Sequence, residues 1–268
     1  MSLTSGIMWY GKQISPPTWE GEELTVAELF GKLKSMGIDT VDIFGRSIDE
    51  YGLETVVAAL DETGMECACY YIGADLVADD PDTVAATDEA FTVGIERAQA
   101  LGAPICFSCG SQHSHRGEED FVRYMDRLGE KLQLFKDIEQ TLVIENAGHL
   151  LHTGAHMVRA AETLGDDGLR LCPDTGNFTL WGEDALEAVT MCMPWTAHMH
   201  IKDYAERWEE DGNPRGKEAI LGQGITPVAE VFELLHAEDW DGVVAWEPGP
   251  QDEQGVTESI RELMRLIG

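Results

Sequence analysis

Positive charge is what this chain has least of. Of its 268 residues only 18 are Lys or Arg, seven and eleven respectively, against 50 Asp and Glu, giving a formal net charge of −32. Proteins hold nucleic acid and anionic membrane surfaces through Lys and Arg that displace counterions, so neither partner is expected. Long apolar runs are missing too. No run of 18 apolar residues occurs, and a transmembrane helix needs about 20. The N-terminus, Met1-Ser2-Leu3-Thr4-Ser5, has no basic segment followed by an apolar one, so no secretory signal is expected and the chain reads as cytoplasmic. No Pro-, Gly- or Ser-rich linker and no break in composition divides it, which predicts a single domain over residues 1–268. No G-x-G-x-x-G follows the first apolar run and no Walker sequence occurs, so a nucleotide-binding sheet has no support.

Cysteine is sparse and does not form a framework. Cys67, Cys69, Cys106, Cys109, Cys172 and Cys192 lie mostly in apolar, strand-like runs and read as buried thiols of a reducing compartment. Cys106 and Cys109 match C-x-x-C, but on a strand their side chains point to opposite faces, so neither zinc nor redox chemistry is expected of them.

Apolar residues make up 43% of the chain, enough for a sizeable core. The acids are dispersed along loop and helix edges, as in Asp79-Asp80-Pro81-Asp82 and Glu209-Glu210-Asp211. Such a surface resembles that of proteins from salt-accumulating archaea, which use high net charge to stay soluble.

What recurs is a short apolar run, a polar loop, an amphipathic helix and a glycine. The runs are Gly6–Tyr10, Thr40–Phe44, Glu66–Ile72, Pro104–Cys109, Leu142–Glu145, Leu169–Asp174, Ala197–Lys202 and Gly242–Glu247, rich in Val, Ile, Phe, Tyr or Cys as buried parallel strands are. Between them, Thr25-Val26-Ala27-Glu28 is a capping box for a helix through Met36 that Gly37 stops. Asp80-Pro81 opens a long helix closed by Gly102, and Thr226-Pro227 opens another that ends near His236. Eight strand–helix units in this length predict an α/β fold, a single closed (β/α)8 TIM barrel.

The active site of such a barrel lies at the C-terminal ends of its strands. Three of the last four runs end in Glu145, Asp174 and Glu247, and the seventh carries His200 two residues before its end. If Leu142, Ile144, Met199, Ile201, Val244 and Trp246 face the helices, alternation turns Glu145, His200 and Glu247 to the axis, with Asp174 beside them. Three carboxylates and one imidazole then share a rim in a chain with few basic partners. A divalent cation is the simplest compensation. The oxygen-rich set favours Mn2+ or Mg2+, with Co2+ and Zn2+ also compatible.

The order Glu, Asp, His, Glu on strands five to eight resembles the xylose isomerase-like TIM barrel superfamily, in particular its sugar isomerase/epimerase branch, which includes D-tagatose 3-epimerase and inosose isomerases. Supporting phrases are Ile144-Glu145-Asn146, Asp174-Thr175-Gly176-Asn177, His200-Ile201-Lys202-Asp203, Leu221-Gly222-Gln223-Gly224-Ile225 and Trp246-Glu247-Pro248. The resemblance implies one divalent metal held by Glu145, Asp174, His200 and Glu247, with both glutamates also transferring protons. It implies a small sugar or polyol-ketone substrate, deprotonated next to its carbonyl. In two places the chain departs from the ketose epimerases. Asn177 stands where they carry His, and Glu206, followed by Arg207, where they carry Arg.

Other candidates come from position. Lys202 shares the inward face with His200 and is available to substrate or to a ligand carboxylate, and Asn177 and Arg207 are further substrate contacts. Of Trp9 and Tyr10 at the end of strand one, Trp9 is assigned to the pocket wall. His113 is assigned to substrate, with His115, His149 and His152 as weaker loop candidates. Asp42 is expected to point inward and orient a ligand or an Arg. The charged segment Tyr204–Gly222 reads as a long loop serving as lid, specificity element or homo-oligomer contact. Alternatives to an isomerase or epimerase are an inosose- or dehydroshikimate-type dehydratase on the same site, a non-catalytic metal or sugar binder, and an AP endonuclease-like hydrolase. The last is disfavoured by the net charge and by the absence of His on strands two and three.

Overall fold

The computed structural model describes residues 3–11, 18–19, 22–109, 117–249 and 252–268. Eight parallel strands make one sheet: β1 (Thr4–Trp9), β2 (Thr40–Phe44), β3 (Glu66–Tyr71), β4 (Ile105–Cys109), β5 (Thr141–Glu145), β6 (Arg170–Cys172), β7 (Met199–Ile201) and β8 (Val243–Trp246). They pair in the order β6-β5-β4-β3-β2-β1-β8-β7. The ends of that order meet through parallel bridges Leu171–Thr196 and Asp174–His200, with His200 N donating to Pro173 O at 3.0 Å. The sheet is thereby a single TIM barrel. Among the described residues no helix is long and apolar enough to cross a membrane.

Strand alternation divides the core into two layers. Leu142, Ile144, Met199, Ile201, Val244 and Trp246 join the large apolar layer between barrel and helices. Met8, Tyr10, Cys69, Phe107, Cys109, Val143, Cys172 and Ala245 fill the barrel interior. Cys106 lies in the outer layer and Cys109 in the inner one, as alternation requires. All six thiols are buried and free.

The outer helices follow their sequence signals. Thr25 closes a capping box on the helix Val26–Ser35, and Asp80 caps Pro81–Ala100 by accepting from Thr83 N. The helix Glu118–Leu132 buries Phe121, Tyr124, Met125, Leu128 and Leu132, one face at helical spacing. The helix after Pro227 starts one residue later than expected, at Val228.

The segment after β7 is not a loop. Tyr204–Glu210 and Asn213–Glu218 form an antiparallel hairpin closed by Asp211-Gly212, both with positive φ (52° and 71°). A two-residue turn with left-handed backbone at both positions matches the twist of the flanking strands.

Candidate metal centre

The rim residues are held by a series of hydrogen bonds from the residues beside them in sequence. Asn146, next to Glu145, donates through Nδ2 to Asp174 O at 3.0 Å and accepts from Asp174 N at 2.6 Å, fixing the end of β6 against β5. Thr175 Oγ1 donates to Lys202 O at 3.1 Å and accepts from Lys202 N at 3.2 Å, joining β6 to β7. Gly176 lets this approach happen, because a Cβ there would lie 2.6 Å from the Lys202 Cβ. Asp203 then accepts from the backbone N–H groups of Gly222, Gly224 and Thr226 at 3.0, 2.8 and 3.1 Å, tying down the segment that follows the hairpin. The sequence reading missed Asn146, Thr175 and Asp203 as positioning residues. Their signal was adjacency, since each stands directly beside a rim residue.

Within this frame Glu145, Asp174 and His200 each bring one potential ligand atom within 4.8 Å of the others, all three being buried. His200 Nδ1 lies 2.5 Å from Glu145 Oε1, and its Nε2 lies 3.1 Å from Asp42 Oδ2. The same Asp42 oxygen lies 2.6 Å from His198 Nε2. Asp42 thus orients two imidazoles rather than an Arg, and an Nε2–H donated to Asp42 leaves the His200 Nδ1 lone pair aimed at Glu145. Two electron-rich atoms that close require a cation between them, a proton or a metal. Burial alone would lower the His200 pKa, but the Cys172 sulfur, the Glu145 carboxylate and the Asp42 hydrogen bond outweigh it and raise it well above the ordinary value. The opposite balance holds at Asp42, where burial is outweighed by the two imidazoles and the pKa falls.

Asp174 uses its oxygens differently. Oδ1 accepts from Asn177 N at 2.7 Å as the cap of the helix Thr175–Trp181, whereas Oδ2 is buried with no hydrogen-bond partner. Burial pushes its pKa up to about 8; Lys202 opposes this, and Glu247 and Glu145 add to it. An orphaned buried carboxylate oxygen beside another carboxylate and an imidazole nitrogen is a donor set that fits a divalent cation. Glu247, on the other side of Asp174 from β8, lies 2.6 Å from Lys202 Nζ. Burial would raise its pKa, but the Lys202 ammonium and hydrogen bonds from Lys202 and Tyr10 hold it below the usual carboxylate range.

A family model for the xylose isomerase-like TIM barrel matches residues 30–266. The chain belongs to that family. Solved structures with the same fold include 3-keto-D-glucoside 4-epimerase from E. coli, 18% identical with a TM-score of 0.76, covering 98% of each chain. A probable 3-DHS dehydratase of petrobactin synthesis from Bacillus anthracis is 13% identical with a TM-score of 0.78, covering 98% of this chain and 99% of that one. D-psicose 3-epimerase from Clostridium cellulolyticum H10 is 15% identical with a TM-score of 0.76, covering 99% of both. At these identities the likeness concerns the fold. No curated protein matches the sequence.

On this xylose isomerase-like barrel the expected site residues divide. Glu145, Asp174 and His200 come together, Glu247 stands outside that cluster of ligand atoms with its carboxylate ion-paired to Lys202, and Asn177 stands half-buried one helical turn beyond Asp174. Trp9 does not line the rim. It is buried in the outer layer against Phe30 and Tyr51, with ring centroids 5.1 and 5.4 Å away, because strand alternation turns Tyr10 inward instead. Arg207 is exposed on the hairpin, its guanidinium packed over Gly182, whose positive φ ends the helix Thr175–Trp181. His149 and His152 pack on Trp181 at 4.7 and 4.3 Å, and His149 also meets Asn213 of the hairpin. His113 and His115 lie outside the described residues. Cys109 is a further residue the sequence reading passed over, its thiol donating to Glu145 Oε2 at 3.2 Å.

Proposed function

We propose that this protein is a divalent-metal-dependent isomerase or epimerase of a sugar or polyol-ketone, acting by proton transfer at a carbon next to the carbonyl. The observation that carries the reading is the cluster of Glu145, the orphaned Asp174 oxygen and His200, with the second glutamate, Glu247, ion-paired to Lys202 and close enough to raise the Asp174 pKa. Glu145, Asp174, His200 and Glu247 would hold the ion, with Mn2+ or Mg2+ favoured by the oxygen-rich set. A bound ion supplies the Lewis-acid charge that stabilises negative charge developing on the substrate oxygens.

The chain's own residues do the rest. Lys202 keeps Glu247 ionised and therefore able to accept a proton at neutral pH. Glu145, held through both oxygens by His200 and Cys109, addresses the substrate from three strands away around the rim. Removal of a proton by one glutamate and return by the other to the opposite face inverts the carbon. Return by the same glutamate to the neighbouring carbon isomerises the ketone. Asn177 and Lys202 are donors for the remaining substrate oxygens.

A second reading, a dehydratase, shares the proton-removal step and differs in expelling a hydroxyl. The Lys202 ammonium 2.6 Å from Glu247 favours it, since that donor is placed to protonate a leaving oxygen, and a dehydratase is among the similar structures. Metal-loaded enzyme incubated in D2O with ketoses, inososes and dehydroshikimate, followed by NMR, separates them. Deuterium next to the carbonyl with an accumulating epimer or isomer supports the leading reading. Water loss with a new enone selects the dehydratase. Cleavage of abasic-site DNA without exchange, or no turnover with metal bound, would move the protein to hydrolase or binder.

A further inference from the structure

Lys202 is surrounded by more than one carboxylate. It pairs with Glu247 at 2.6 Å, and the charge of Asp174 also acts on it. A third carboxylate approaches from the hairpin. Glu218, the last hairpin residue, pairs with Tyr204 across the two strands, so both side chains leave the same face. Ala219 N donates to Asp203 O at 3.0 Å, which holds the chain at Glu218 beside the chain that carries Lys202.

Unlike the other acids of the hairpin, Glu218 turns its carboxylate into the protein. The group lies against the backbone of Gly249, two residues beyond Glu247, so closely that a Cβ on Gly249 would collide with Oε2. Oε2 is buried and has no hydrogen-bond partner among the described residues. A carboxylate oxygen so placed costs free energy until a donor or a cation reaches it. Burial pushes the Glu218 pKa up, while Lys202 opposes the rise and Glu247 adds to it, so the ammonium is the cation whose charge Glu218 feels.

These positions bear on how Glu247 reaches an ion. Glu247 stands outside the cluster formed by Glu145, Asp174 and His200, with its carboxylate committed to Lys202. A cation that takes Glu247 strips Lys202 of that partner, and an ammonium whose side chain is only 10% exposed is costly to leave unpaired. Asp174 is no substitute, since it belongs to the same ligand set. Glu218 is the carboxylate left over, and the flexible lysine stem lets the ammonium swing between neighbours. We infer that Glu218 is a positioning residue, the second partner of Lys202, and that Lys202 turns from Glu247 to Glu218 when Glu247 ligates the metal. This inference rests on the reading of the rim as a metal site.

Calorimetric titration of Mn2+ into the metal-stripped full chain tests the exchange of partners. Glu218→Gln is expected to weaken binding about tenfold, because Lys202 then keeps its hold on Glu247. Removing any carboxylate near a cation weakens binding through the field alone, so the decisive comparison is a cycle with Lys202. In a Lys202→Met background Glu247 is free from the start, and adding Glu218→Gln is expected to change the affinity less than about twofold. Gly249→Ala displaces the Glu218 carboxylate without removing its charge and is expected to weaken binding as Glu218→Gln does. Parental affinity in Glu218→Gln would overturn the inference, as it would in Gly249→Ala where Glu218→Gln fails to fold. An equal loss in the Lys202→Met background would also overturn it, since Glu218 would then act on the ion directly. Each of these results leaves the metal site standing. A parent chain that binds no Mn2+ would remove the metal site and the exchange with it.

Discussion

His200 stands between two carboxylates, Asp42 on Nε2 and Glu145 on Nδ1, and this sandwich sets the chemistry of the rim. Its partner Asp174 holds a proton in the folded protein that the unfolded chain gives up near its ordinary value of about 3.9. The native state therefore binds more protons than the unfolded one between that value and about 8, so this group's contribution to stability is full below the unfolded pKa and is lost as pH rises through about 8. A divalent ion takes the ionised carboxylate, so its affinity should climb with pH until Asp174 is ionised, near pH 8, and then level off. Calorimetric titration of the metal-free protein at several pH values checks this, and an affinity independent of pH would contradict the assignment of Asp174. The glutamates should separate binding from chemistry. Glu145→Gln and Glu247→Gln each retain an oxygen ligand and lose the base, so turnover should fall at least about 10²-fold with the metal still bound. Near-full turnover in either variant would demote that residue to ligand alone. These rim residues were legible in the sequence because each lies at or near the end of an apolar run with the right parity. Asp42 was read as inward and orienting a ligand, which its contact with His200 bears out, but its second partner was not foreseen, since the bond to His198 joins residues 156 positions apart.

At the scale of elements, the rim depends on strand ends tied to their neighbours by side chains. Asn146 is the clearest case, since it satisfies both backbone groups of Asp174. Asn146→Ala should cost about 1–3 kcal/mol, because it leaves the buried Asp174 N–H without a partner while its C=O keeps only the bond from Phe178 N. It should also weaken metal binding by letting the end of β6 drift. Denaturant unfolding beside metal titration measures both, and a variant as stable as the parent would show that the tie is dispensable. The helices were legible because caps and periodicity are local. The hairpin after β7 was not recognised, although Asp211-Gly212 is a hairpin-turn dipeptide. The flanking strands are charged and exposed, so apolar alternation, the signal used for the barrel strands, is absent there. Trp9 was misassigned for a related reason. The sequence places two large aromatic residues side by side, and only the register of β1 decides which faces the axis.

Over the whole molecule, the closed barrel could be read from eight apolar runs alternating with helices, and its two-layer core from their parity. Composition carries a separate message. Most of the described Lys and Arg are drawn into ion pairs, such as Lys34–Asp39, Arg97–Asp49 and Lys136–Asp167, which leaves a large excess of exposed carboxylates. Salt shortens the Debye length from about 10 Å at 0.1 M to about 3 Å at 1 M, relieving that repulsion. Tm should therefore rise steeply from low to molar KCl, and a flat or falling curve would contradict adaptation to high salt. The central claim is that four strand ends assemble one divalent-metal site, and titration of Mn2+ into the stripped protein tests it most directly. One ion per chain is expected in the parent, with binding lost in Asp174→Asn. Absence of binding in the parent, or unchanged binding in Asp174→Asn, would contradict the account.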